Sequence, residues 1–128
     1  LDKELLAAYG ATCTYTPEEP DLMVYADEGQ ISQILINLLK NALQAGAKHI
    51  NITASLNKED ETILRIANDG EPIPIAAQEQ IFVPFYTTKK EGSGIGLSLA
   101  RQIMRQHNGS IDLVKSDVNE TVFQMVFR

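Results

Sequence analysis

The chain has 128 residues, 44% of them hydrophobic and 22% charged, the length and balance of one folded domain rather than of two domains or a disordered tract. Its formal net charge of −6 argues against nucleic acid or an anionic membrane as a main partner, so an anionic ligand would have to be held by a local feature. The single cysteine, Cys13, excludes an internal disulfide and suits a reducing, cytoplasmic setting, and no apolar run approaches the ~20 residues that span a bilayer.

Residues 1–9, LDKELLAAY, read as the end of a helix that begins in mid-pattern, as a chain continuing from a preceding domain would. Thr12 to Thr16 and Leu22 to Ala26 flank a Pro17-Glu-Glu-Pro20 turn and are expected to pair as strands. From Asp27 to Ala45 the pattern is helical, with Asp27 as N-cap and Gly46 as stop. His49 to Leu56 alternates, placing Ile50, Ile52, Ala54 and Leu56 on one face. Lys58 to Glu61 forms the turn, and Thr62 to Ala67 returns. The stretch from Asn68 to Ser93 holds three of the five prolines and is expected to be irregular apart from a short helix over Gln78 to Phe82. Long irregular segments inside a domain are usually functional. A helix from about Ile95 to His107 follows, then two strands, Ser110 to Lys115 and Thr121 to Phe127, joined by a turn over Asp117 to Glu120.

Three features carry chemistry. On the Asp27–Ala45 helix, Gln30, Gln33, Asn37, Lys40, Asn41 and Gln44 fall in one sector of roughly 100°. A solvent face would favour Glu and Lys, whereas this stripe is rich in amides. Asn37 and Asn41, four apart, put two carboxamides on one side of the helix, where they could complete the oxygen shell of a Mg²⁺ that keeps phosphates and waters. The second feature, Asn68-Asp-Gly-Glu-Pro-Ile-Pro74, directly follows a strand: Gly70 allows close backbone approach and an Asn or Asp oxygen can accept from an exocyclic amine. Alone it would be an ordinary Asn-Asp-Gly turn. The third, Gly92-Ser-Gly-Ile-Gly-Leu97, opens a helix with Lys89 and Lys90 just upstream, so backbone donors, helix dipole and lysines together make an anion cradle. Its spacing fits neither the dinucleotide fingerprint nor a Walker A loop.

In this order, with Ile81-Phe-Val-Pro-Phe-Tyr-Thr-Thr-Lys89 between the second and third, the motifs resemble the catalytic ATP-binding (HATPase_c) domain of sensor histidine kinases. That superfamily, known as GHKL or Bergerat, also includes gyrase, MutL and the anti-sigma serine kinases. Asn37-Leu-Leu-Lys-Asn41-Ala resembles the N box, Asn68 to Pro74 the first glycine box, Ile81 to Lys89 the F box and Gly92 to Leu97 the second glycine box. The wording "NALQA" and "PFYTTKK" is similar to the nitrogen-regulation-like branch.

The resemblance implies one catalytic domain over residues 1–128, residues 1–9 ending a linker from a dimerisation and phosphoacceptor domain. It implies an α+β fold, a two-layer α/β sandwich whose mixed sheet is covered on one face by about three helices. ATP and Mg²⁺ would be the cofactors, with Asn41 and Asn37 the metal ligands and Asn37, Asn41 and Lys89 the catalytic groups. Nucleotide would be held by Asn37, Asn41, Asn68, Asp69, Gly70, Ile73, Thr88, Lys89, Gly92, Ser93, Gly94, Ile95, Gly96 and Leu97, under a lid over residues 86–94. Phe82 and Phe85 would anchor the lid in the core.

Three departures stand out. The family's Asp-x-Gly-x-Gly becomes Asn68-Asp-Gly-Glu-Pro72, so either Asn68 or Asp69 could meet adenine. The Lys often found three residues after the second N-box Asn is Gln44. Neither His49 nor His107 lies in a phosphoacceptor motif, which makes both structural or surface residues.

The implied function is transfer of the γ-phosphoryl of Mg-ATP to a histidine on the parent kinase's separate dimerisation and phosphoacceptor domain. The parent would be a homodimer, would act indirectly on a response regulator, and could be membrane-anchored, while this domain stays cytoplasmic with no membrane or nucleic-acid contact. Position 37 favours this over the hydrolysing relatives, in which a Glu there acts as base on water. The alternatives are a GHKL ATPase, an anti-sigma-type serine kinase, or a non-enzymatic nucleotide sensor.

Overall fold

The computed structural model describes residues 3–18, 27–84 and 96–128. In chain order the elements are α1 (Lys3–Tyr9), β1 (Thr12–Pro17), α2 (Glu28–Gln44), β2 (His49–Leu56), β3 (Thr62–Asn68), the single turn α3 (Ile75–Gln78), α4 (Gly96–Gln106), β4 (Ser110–Ser116) and β5 (Thr121–Phe127). The expected partner strand at 22–26 lies outside the described residues.

Period-two alternation in β2 becomes a buried face of Ile50, Ile52 and Ala54 and an outer face on which His49 and Asn51 are exposed. Leu56, at the strand end, is also exposed. The sheet order is β1-β2-β3-β5-β4. β1 runs parallel to β2, and the other pairs are antiparallel, so the sheet is mixed, as the sequence implies.

Helices α2 and α4 bring their apolar stripes, Ile34, Leu38, Leu39, Ala42 and Leu43 from one and Ala100, Ile103 and Met104 from the other, into a single core with the sheet's Ile50, Ile66, Ile111, Phe123 and Met125. Leu5 and Leu6 of α1 pack onto the same cluster. Burial of each Leu, Ile, Met or Phe among them contributes roughly 1.5–3 kcal/mol.

The ends of the two long helices are tied to each other. Asp27 caps α2, its carboxylate accepting the Gln30 N–H at 2.9 Å. Its own N–H donates to His107 Nε2 at 3.0 Å, while His107 Nδ1 meets Ile103 O at 2.8 Å. The pair of bonds places the ring proton on Nδ1, so His107 is a structural link between helices. α4 ends where Asn108 takes φ 58° and Gly109 N–H returns to Met104 O at 2.8 Å.

The short helix differs from the expectation at Gln78–Phe82. It begins directly after Pro74 and ends at Gln78. Pro74, with φ −54°, starts the turn there because its ring fixes φ near the helical value. Ala77 N–H donates to Pro74 O at 2.8 Å, and residues 79–82 continue only as turns.

Candidate functional site

The polar stripe of α2 divides as it meets its neighbours. Gln30, Gln33, Lys40 and Gln44 are exposed, while Asn37 and Asn41 are half-buried. Asn37 Nδ2 donates to Gly96 O at 3.4 Å, and Gln33 Nε2 donates to Asn37 Oδ1 at 3.1 Å. Two turns further on, Ala45 O accepts the Glu71 N–H at 2.8 Å. Asn37, Asn41 and Ala45 recur every fourth residue, so one helix face runs ~12 Å from the start of α4 to the turn after β3, with Asn41 midway.

At the β3 end of this face stands Asn68, only 8% exposed. Strand alternation puts it on the side of Ile66, which faces the core beneath the helices. Its Oδ1 accepts the Gly70 N–H at 2.9 Å. Gly70 fits against the helix closely: a β-carbon there would stand 3.0 Å from Ala45 O and 3.1 Å from Ala45 Cβ.

Asp69 turns the other way. Its Oδ1 accepts the N–H groups of Lys48 at 2.8 Å and His49 at 2.9 Å, and Oδ2 pairs with His49 Nδ1 at 2.7 Å. The His49 N–H first, then the imidazole, hold the carboxyl well below its ordinary value, at about 2. Of the two candidates for the base contact, Asn68 is therefore on the helix-covered face and Asp69 is fastened to the start of β2.

The remaining expected residues fall into two groups. Ile73 N–H donates to Ser116 Oγ at 2.8 Å, and Leu97 packs half-buried against the core. Thr88, Lys89, Gly92, Ser93, Gly94 and Ile95, together with Phe85, lie outside the described residues. Phe82, at the root of the F box, packs edge-on against Phe123 with centroids 6.3 Å apart, under the Arg101 guanidinium at 3.8 Å. An open cleft of about 520 Å³ between Phe82 and the Arg101 and Arg105 side of α4 contains none of the expected nucleotide residues.

Sequence reasoning did not single out Thr121 or Ser116. Thr121 is the register partner of Asn68, is 3% exposed, and lies 2.7 Å from Ser116 through their hydroxyls. A threonine within an apolar strand was the available signal, but only the sheet order shows it beside Asn68.

Among the described residues no group of three His, Cys, Asp or Glu could hold a metal. Burial pushes the Cys13 thiol upward, away from nucleophilic or ligating thiolate chemistry. What the site offers is amide oxygen on α2, suited to a hard cation that draws its other oxygens from phosphate and water.

Comparison with known proteins decides the family. The family model described as histidine kinase-, DNA gyrase B- and HSP90-like ATPase matches residues 26–128. The chain belongs to this family. It is 32% identical over 110 residues to sporulation kinase C of Bacillus subtilis (strain 168), covering 85% of this chain and 26% of that protein. The catalytic domain of the histidine kinase ThkA superposes with a TM-score of 0.83 at 33% identity, covering 98% of this chain and 83% of that one. ThkA in complex with the response regulator protein TrrA gives a TM-score of 0.78 at 32% identity, covering 98% and 36%. The fold is thus the α+β ATP-binding sandwich of histidine kinase catalytic domains, and the chain spans about a quarter of the length of the curated relative.

Proposed function

We propose that this domain binds Mg-ATP along the Asn37–Asn41–Ala45 face of α2 and donates the γ-phosphoryl group to a histidine on a separate dimerisation and phosphoacceptor domain of its parent kinase. The observation that carries the reading is the state of Asn37. Its carboxamide accepts from Gln33 and donates to Gly96 O, and an amide cannot take a proton from water at neutral pH. Hydrolysis would lack its base, and the phosphoryl group would await a nucleophile from another domain.

Within this reading Asn68 faces the base. A carbonyl oxygen has two acceptor sites; Gly70 N–H fills one at 2.9 Å, and the second remains for the adenine amine. Asn41 would contribute an oxygen to Mg²⁺, with Asn37 beside it. Bound there, the cation would offset phosphate charge against a chain that is itself net negative. The half-buried setting of both amides strengthens such contacts relative to open water. Lys89 and the amides of Gly92, Gly94 and Gly96 would hold the phosphates, and residues 86–94 would close over them. Preorganised donors and charges of this kind account for most phosphoryl-transfer catalysis.

A parent that acts on a response regulator is the context that ThkA, solved in complex with the response regulator protein TrrA, supports; a homodimeric parent is part of the same proposal. Titration of the chain with a non-hydrolysable ATP analogue in Mg²⁺, paired with a steady-state phosphate-release assay, tests the reading. Binding without sustained phosphate release agrees with it, and sustained release identifies an ATPase.

A further inference from the structure

The start of β2 carries more bonds than a strand end requires, and they lead in two directions. Lys48 donates its backbone N–H to Asp69 Oδ1 at 2.8 Å, accepts the Thr12 N–H on its carbonyl at 2.8 Å, and extends Nζ to Tyr9 O, the last carbonyl of α1, at 2.8 Å. On the far side, Asp69 also takes the His49 N–H and ring, and its own N–H reaches His49 O at 3.3 Å. The next residue is Gly70, whose contact with Ala45 leaves no room for even a methyl group without displacement. A continuous set of short contacts therefore joins the C-terminus of α1 to the turn that presents Asn68.

We propose that Asp69 is a positioning residue that clamps the Gly70 turn to β2, and that through Lys48 this clamp couples the docking of α1 to nucleotide binding. The inference rests on the functional reading above. Three donors converge on the Asp69 carboxylate, so its removal frees two backbone N–H groups and one imidazole at once. The two-state element is α1 itself: seven residues are too few for a stable helix in water, and its order depends on Leu5 and Leu6 packing on the core and on the Lys48–Tyr9 bond. Whatever α1 does to the turn, nucleotide must do to α1 by the same factor. Such a joint would let the packing of α1 on the core set nucleotide affinity.

The test is hydrogen exchange at the α1 amides, with and without Mg-AMPPNP, alongside AMPPNP affinity, in the wild-type chain and in Asp69→Ala, Asp69→Asn and Lys48→Met. Nucleotide should slow α1 exchange in the wild type. Asp69→Ala should abolish that slowing and weaken AMPPNP about tenfold, the scale of a lost charge-assisted bond. Asp69→Asn keeps an oxygen for both backbone N–H groups and should retain most of the affinity. Lys48→Met leaves the backbone bond to Asp69 intact, and should speed α1 exchange and weaken AMPPNP roughly two- to tenfold. If Asp69→Ala proves unfolded by circular dichroism, the other two variants still decide. A wild type that binds AMPPNP with no change at α1, or a Lys48→Met affinity equal to wild type, overturns the joint and leaves the functional reading standing. Failure of the wild type to bind overturns both.

Discussion

Asn37 and Gly96 lie 59 positions apart and are joined by a single bond, Nδ2 to carbonyl oxygen at 3.4 Å. The bond links α2 to the first residue of α4. With Gln33 donating to the same carboxamide, both ends of Asn37 have partners and its orientation is set. The position that would hold a base in a hydrolysing relative holds an oriented amide instead, one turn before Asn41. The strip of helix proposed for phosphate and metal is thus held at both ends, by Gly96 and by Gly70.

Asn41→Ala should weaken binding of a non-hydrolysable ATP analogue by about 10- to 100-fold in Mg²⁺, the scale of a contact to a charged group. In EDTA the loss should be much smaller. Calorimetric titration under the two conditions checks this; equal loss in both removes Asn41 from the metal.

The assignment of Asn68 to the base leads to a comparison of ATP with purine riboside triphosphate, which lacks the exocyclic amine. The wild type should prefer ATP by about tenfold, and Asn68→Ala should erase the preference, because one acceptor supplies it. Asp69→Ala should weaken both nucleotides by the same factor. A changed ratio at Asp69 would reverse the assignment.

Acid should act on the Asp69 clamp with a defined sign. The folded pKa is depressed from 3.8 to about 2, first through the His49 N–H and then the His49 ring, so the contribution is complete above pH ~4 and is lost as pH falls towards 2. The side chain is 39% exposed, and solvent screening keeps the effect within about 1 kcal/mol. Denaturant unfolding of the wild type and Asp69→Asn between pH 2 and 5 should show a stability gap that narrows on acidification. A constant gap would mean that the carboxylate charge contributes nothing.

Much of this architecture is legible along the chain because its signals are local. Asp27, the α2 periodicity and Gly46 mark one helix within a residue, and the alternation of His49–Leu56 gives a strand with its buried face. The four ordered motifs, each weak by itself, point to the family that the comparisons show. Sheet order is a different matter, since the parallel β1–β2 pair and the β3–β5 pair join segments far apart in sequence. The roles of Asn68 and Asp69 are similarly hidden: both are short polar residues, and only the direction of the last strand residue separates them. Continuing the Leu64, Ile66 alternation would have placed Asn68 on the covered face. Nothing local could have revealed that Asp69 meets Lys48 and His49, some 20 residues earlier. The short helix starts at Ile75 rather than at the expected Gln78 because Pro74 governs where the turn can begin.

The central claim is that the γ-phosphoryl group goes to a histidine on another domain rather than to water. The most direct measurement incubates this chain with Mg²⁺ and γ-labelled ATP, with and without the parent's histidine-bearing domain, and follows where the label goes. The account predicts acid-labile label on the added domain, none on this chain, and negligible free phosphate when the chain is alone. Steady phosphate release by the chain alone, or acid-stable label on a serine, would contradict it.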